Sequence, residues 1–192
     1  TQTLSITVSG IVQGVGFRPM VYALAKSNKI NGTVSNSTEG VVIQFNAEEN
    51  AAYYFYESVL RNAPANSKVT CHQLEEIESR EFKSFEIIES TSSATAGVML
   101  SPDFAMCPEC KRELHDSSNR RHHYPFITCT QCGPRYSIVH RLPYDRVATS
   151  MNEFEMCETC ANEYRMVSDR RFFSQTNSCK ACGVKMKLHW AT

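Results

Sequence analysis

Leu4-Ser5-Ile6-Thr7-Val8-Ser9 alternates apolar and polar side chains at a period of two. Val12-Gln13-Gly14-Val15-Gly16-Phe17-Arg18-Pro19 follows, ahead of an amphipathic run through Lys26 that carries Met20, Val21, Leu24 and Ala25. The alternation predicts a half-buried strand, and the run a helix opened by Pro19, whose missing N–H costs nothing in a first turn. Working outward, Thr33 to Asn36 and Val41 to Phe45 read as two strands about a turn containing Gly40. Glu48 to Asn62 reads as a second helix and Val69 to Ile77 as a closing strand, with Phe85 to Ile88 as an added edge strand. The order βαββαβ is the split-βαβ, ferredoxin-like arrangement of a small α+β domain over residues 1–90. Ser90 to Gly97 lacks large apolar side chains and reads as the start of a linker over 91–103.

Between the first strand and the first helix, Gly14 and Gly16 let the backbone curl so that successive N–H groups converge. The helix that follows adds the positive end of its dipole, and Arg18 adds a planar fork for phosphate oxygens. Gln13, Gly14, Val15, Gly16, Phe17 and Arg18 thus form a candidate oxyanion cradle.

Beyond the linker the chain repeats itself at an offset of 50. Phe104, Met106, Cys107, Cys110 and Glu113 fall on Phe154, Met156, Cys157, Cys160 and Glu163, and Ser118, Arg120 and Arg121 on Ser168, Arg170 and Arg171. Cys129, Cys132 and Gly133 fall on Cys179, Cys182 and Gly183. The units occupy 104–153, with a connector, and 154–192. Each reads CxxC, eighteen residues, CxxC, the spacing of a four-thiolate zinc site. A disulfide framework would need an oxidising compartment, a redox CxxC would occur once, and iron–sulfur proteins use other spacings. No histidine recurs at the offset, so the expected ligands are Cys107, Cys110, Cys129 and Cys132 for one zinc, and Cys157, Cys160, Cys179 and Cys182 for a second. Pairing within a unit closes shorter loops than pairing across units and keeps each unit independent. Four thiolates leave no open coordination position, so the zincs are expected to be structural. The ninth cysteine, Cys71, reads as a packed or edge thiol.

The 192 residues carry no formal net charge, 42% hydrophobic and 21% charged residues, and no apolar run long enough for a membrane helix. The expectation is a soluble, cytoplasmic protein. Residues 1–103 hold 7 Lys+Arg against 11 Asp+Glu, and 104–192 hold 13 against 9. Two tetrathiolate zincs would bring about −2 each and cancel that basic excess. Arg120-Arg121 and Arg170-Arg171 therefore read as a solvated face near the metals rather than as a nucleic-acid contact.

Ser9 to Arg18, with Gly32-Thr33-Val34-Ser35-Asn36 and Glu39-Gly40-Val41-Val42, closely resembles the acylphosphatase signature. The resemblance implies that the loop amides and Arg18 hold the phosphate and that Asn36 orients the attacking water. Arg120 to Phe126, Cys132-Gly133-Pro134-Arg135-Tyr136-Ser137 and Leu142-Pro143-Tyr144-Asp145-Arg146 resemble the paired zinc fingers of the HypF hydrogenase maturation family. That resemblance extends along essentially the whole chain and departs at Phe173, where histidine is expected, and at Val184, where proline is. It implies the N-terminal part of a carbamoyltransferase: carbamoyl phosphate is cleaved here, and a nucleotide-binding domain further along uses ATP to make a carbamoyl adenylate. The carbamoyl group then goes to the partner protein HypE. Two other readings are a general acylphosphatase with a zinc appendage and a non-enzymatic zinc-binding module.

Overall fold

The computed structural model describes residues 1–91, 98–187 and 189. The first domain is a five-stranded sheet with two helices. β1 (Gln2–Ile11), α1 (Phe17–Ser27), β2 (Asn31–Ser37), β3 (Gly40–Ala47), α2 (Glu49–Arg61), β4 (Lys68–Glu76) and β5 (Phe85–Ile87) follow in chain order. The strands lie in the order β4-β1-β3-β2-β5. β1 pairs antiparallel with both β3 and β4, while β5 adds to β2 in parallel. This is the expected α+β arrangement with its edge strand.

Register explains the core. Leu4, Ile6 and Val8 of β1 stand opposite Phe45, Ile43 and Val41 of β3, and Val34 of β2 stands opposite the same Ile43. One face of the sheet is thereby a continuous apolar surface. Val21 and Ala25 of α1, and Ala52, Phe55 and Val59 of α2, close over it, with Phe55 edge-on to Phe45 at 5.0 Å. The expected first helix opened at Pro19, but α1 begins at Phe17. Phe17 and Arg18 are both buried, and the left-handed backbone of Gly16 (φ 87°) turns the chain into the helix two residues earlier.

Most of the expected linker, residues 92–97, lies outside the described residues. The chain on its far side is laid against the first domain: Val98 N–H donates to Thr38 O, Met99 N–H to Gly10 O, and the buried Ser101 hydroxyl to Gln13 O. Each cysteine unit contributes one short α-helix, α3 (Pro108–His115) and α4 (Glu158–Arg165), starting just after its first cysteine. The cysteines sit at equivalent places on the two, since Cys107 and Cys157 are the N-caps while Cys110 and Cys160 are fully buried in the first turn.

The two units are not independent and their arginines are not a solvated face. Arg121 and Arg171 are 2% and 3% exposed. Arg120 reaches Cys160 Sγ at 3.0 Å and Glu163 at 2.7 Å in the other unit, where Arg121 also binds Glu163, Asn177 and Ser178 O. In return Arg170 reaches Cys110 Sγ at 3.1 Å and Glu113 at 2.8 Å, and Arg171 binds Glu113 and Thr128 O. The physical reason is charge: guanidinium forks find a neighbour's thiol and carboxylate cluster a better partner than water when both are buried. Burial alone would raise the Glu163 carboxyl, but hydrogen bonds from Arg121 and Arg120 outweigh it and hold it down to about 2.

Candidate functional site

The loop from Val12 to Gly16 leaves β1 and enters the N-terminus of α1. Gly14 and Gly16 have φ of 72° and 87°, values at which a Cβ is strained. As a result the N–H groups of Gln13, Gly14, Val15 and Gly16 make no hydrogen bond among the described residues. They directly precede the first turn of α1, whose amides have no intrahelical partner either, an arrangement that favours an anion. A substituent at Gly16 would only touch Thr130 Cβ at 3.4 Å, whereas one at Gly14 would press on Arg135 Cδ at 3.0 Å and the Tyr144 ring at 3.3 Å. Gly16→Ala is therefore expected to cost about 1–2 kcal/mol of stability from backbone strain, and Gly14→Ala more, because overpacking adds to the strain. Equilibrium denaturation of the two variants checks the order.

Arg18 is buried, 6% exposed, beneath the connector between the cysteine units. Its Nη2 lies 2.7 Å from Asp145 Oδ1 and donates to Tyr144 O at 3.2 Å, and its guanidinium lies over the Phe173 ring at 4.9 Å. Nε and Nη1 have no partner among the described residues. The fork is thus held by one prong and open at the other. Asn36, on β2 and 1% exposed, also donates to Tyr144 O, at 2.9 Å, which leaves its Oδ1 unpaired. Arg18, Asn36 and the glycine loop line one narrow cavity, whose remaining wall comes from Thr130, Arg135, Tyr144, Phe173, Ser174 and Gln175 of the cysteine region.

Gln13 takes part differently from its neighbours. Its side chain is spent on Ser37 O, Gly40 O and the Tyr144 N–H, so it ties β2, β3 and the connector to the loop. Val15 and Phe17 are buried in the core and contribute backbone only. Arg135, which sequence reasoning quoted without a role, is 3% exposed and bonds Gly14 O, the carbonyls of Cys129, Thr130 and Cys132, and Pro134 O. It couples the first cysteine unit to the anion loop. Asp145 was likewise quoted without a role, since its partner Arg18 lies over a hundred positions away, and no local pattern marked Ser174.

The eight knuckle cysteines gather into two clusters, Cys107, Cys110, Cys129 and Cys132, and Cys157, Cys160, Cys179 and Cys182, with all sulfurs of a cluster within 4.8 Å of one another. Pairing is local. Three edges of each cluster lie between 3.5 Å, for Cys110–Cys132 and Cys160–Cys182, and 3.8 Å, for Cys107–Cys129 and Cys157–Cys179. These are far from disulfide bonds, and a tetrahedron with metal–sulfur bonds of about 2.3 Å has edges of about 3.8 Å, so the donor sets fit zinc. Cys71 is exposed on β4, away from both clusters. No helix among the described residues is long and apolar enough to cross a membrane.

Two family models match the chain: Acylphosphatase over residues 4–87, and HypF finger over 106–139 and again over 156–189. The carbamoyltransferase HypF of Synechocystis sp. is 42% identical over 153 residues, covering 80% of this chain and 20% of that protein. An acylphosphatase of Staphylococcus aureus is 39% identical over 75 residues, 39% of this chain and 84% of that one. A crystal structure described as full-length HypF in the phosphate- and nucleotide-bound form superposes with a TM-score of 0.91 at 43% identity, over 95% of this chain and 24% of that one. The chain spans about a fifth of the length of the HypF relatives it matches.

Proposed function

The chain belongs to the HypF family, and on that premise we propose that its first domain cleaves acyl phosphates, carbamoyl phosphate above all, to supply a carbamoyl group for transfer. The observation that carries this reading is the half-open fork of Arg18 beside four unpaired loop amides at a helix N-terminus. The amides and Arg18 bind the phosphoryl oxygens and stabilise the charge that develops on them. Asn36, through its free Oδ1, holds the water that attacks phosphorus. The water oxygen bonds to phosphorus as the bond from phosphorus to the acyl oxygen breaks; phosphate and carbamate leave, and the water's proton passes to solvent. Positioning and charge stabilisation suffice for a loose phosphoryl-transfer transition state, so no general base is required.

Each four-cysteine cluster is proposed to hold one structural zinc, closed to substrate by its four thiolates. One HypF relative was solved with phosphate and nucleotide bound. The nucleotide step, formation of a carbamoyl adenylate from ATP, and delivery to HypE are assigned to the parts of the longer relatives with which this chain does not align. Residues 1–90, 104–153 and 154–192 are the proposed functional divisions, joined by 91–103, and the cytoplasm is the proposed site of action.

Phosphate release from carbamoyl phosphate and from benzoyl phosphate, compared on the purified chain, tests the reading. Preferential turnover of carbamoyl phosphate is expected. Faster turnover of the aryl substrate would favour a general acylphosphatase, and no enzyme-dependent release from either would refute hydrolysis.

A further inference from the structure

Among the described residues only three buried side-chain polar atoms lack a hydrogen-bond partner: Asn36 Oδ1, Tyr144 Oη and Ser174 Oγ. All three residues line the cavity at the anion loop, and Tyr144 also lines a second one beside Val98 to Ser101. Leaving such an atom unpaired costs on the order of 1–3 kcal/mol, so three in one place mark a site built for a polar ligand. Asn36 belongs to the first domain, but Tyr144 comes from the connector and Ser174 from the second cysteine unit. The other polar side chains that this region adds to the wall are already spent: Thr130 on Arg170 O, Arg135 on five carbonyls, Gln175 on Arg146 N–H, Phe173 O and Tyr164.

We infer that Ser174 and Tyr144 form an acyl-group subsite, by which the fingers select a small acyl phosphate that itself carries both hydrogen-bond donors and an acceptor. This rests on the acyl-phosphate reading above and adds to it the side of the substrate that the loop does not hold. The phosphoryl group goes to the loop amides and the open prong of Arg18. The acyl group then faces the finger wall, where each hydroxyl can donate to a carbonyl oxygen and accept from an N–H. A carbamoyl group offers both; an acetyl group, nearly the same size, offers only the carbonyl. A site that pairs its hydroxyls with a substrate N–H discriminates against the analogue lacking it, because the hydroxyls are then left unsatisfied.

The test is the ratio of kcat/KM for carbamoyl phosphate to that for acetyl phosphate, measured on the full chain for the wild type and for Ser174→Ala, Tyr144→Phe and Arg18→Ala. The wild-type ratio is expected to exceed one, and Ser174→Ala and Tyr144→Phe are each expected to lower it by about five- to tenfold, the worth of one neutral hydrogen bond. Inhibition by inorganic phosphate should stay within about twofold in both, since the loop that binds it is untouched. Should Ser174→Ala fail to fold, Tyr144→Phe, which keeps the ring, decides alone. Ratios unchanged in the folded variants, with turnover lost in Arg18→Ala, would overturn the subsite and leave the hydrolytic reading standing. A wild type that neither binds inorganic phosphate nor turns over either substrate would overturn both.

Discussion

Arg18→Ala is expected to lower acyl-phosphate turnover by about three orders of magnitude, the upper range for removing one preorganised charge donor from a water-poor site. It should also cost stability, because Asp145, whose side chain is 22% exposed, would lose its cation, and Tyr144 O one of its two donors. A loss of about 1–3 kcal/mol is the scale for stranding a partly buried charged group. Phosphate release and denaturant unfolding of the same preparation separate the two effects. Arg18→Ala combined with Asp145→Asn should recover part of the stability and none of the rate. If the double variant regains turnover, Arg18 serves the connector rather than the phosphoryl group.

Cys110→Ser is expected to remove one metal and to loosen both cysteine units, since Arg170 binds Cys110 Sγ from the other side of the pair. Zinc in a four-thiolate site is worth roughly 10–16 kcal/mol of apparent binding energy, far more than the small packed cluster of Cys110, Tyr124, Ile127, Cys129 and Cys132 supplies. Chelation should therefore abolish near-ultraviolet signals from the cysteine region while the sheet keeps its far-ultraviolet signature, because the first domain has its own apolar core. Native mass spectrometry reads the metal count directly. A Cys110→Ser variant that retains one zinc, with amide protection around Cys157 to Cys182 unchanged, would show that the units do stand alone.

The sheet and the cysteine clusters were legible because each rests on local rules. Period-two alternation over Leu4 to Ser9 needs no tertiary information to predict a strand, and eight cysteines at fixed spacing have few metal geometries open to them. The tight turn between strand and helix was legible for the same reason, from Gly14 and Gly16. What escaped was everything that depends on one part lying over another. Arg18 is next to the glycine loop in sequence, yet its burial is decided by Asp145 and Tyr144. The arginine pairs recur at the offset of 50 together with Glu113 and Glu163, and that recurrence of opposite charges was a usable signal for contact between the units. The assignment of both pairs to solvent followed from weighing net charge, which cannot distinguish an exposed guanidinium from one paired across an interface.

The reciprocal reach of Arg120 and Arg121 to Cys160 and Glu163, and of Arg170 and Arg171 to Cys110 and Glu113, has the symmetry of an isologous dimer: the same patch meets itself about a two-fold axis. A single ancestral copy with this surface would have been self-complementary, and fusing two copies fixed their stoichiometry in one polypeptide. Once fused, the halves were free to diverge wherever the axis does not pass. The second copy holds Phe173 where the first holds His123, both in left-handed backbone, and only Phe173 lies against Arg18. The scaffold is thus symmetric, and the two halves part where one of them lines the cavity at the anion loop.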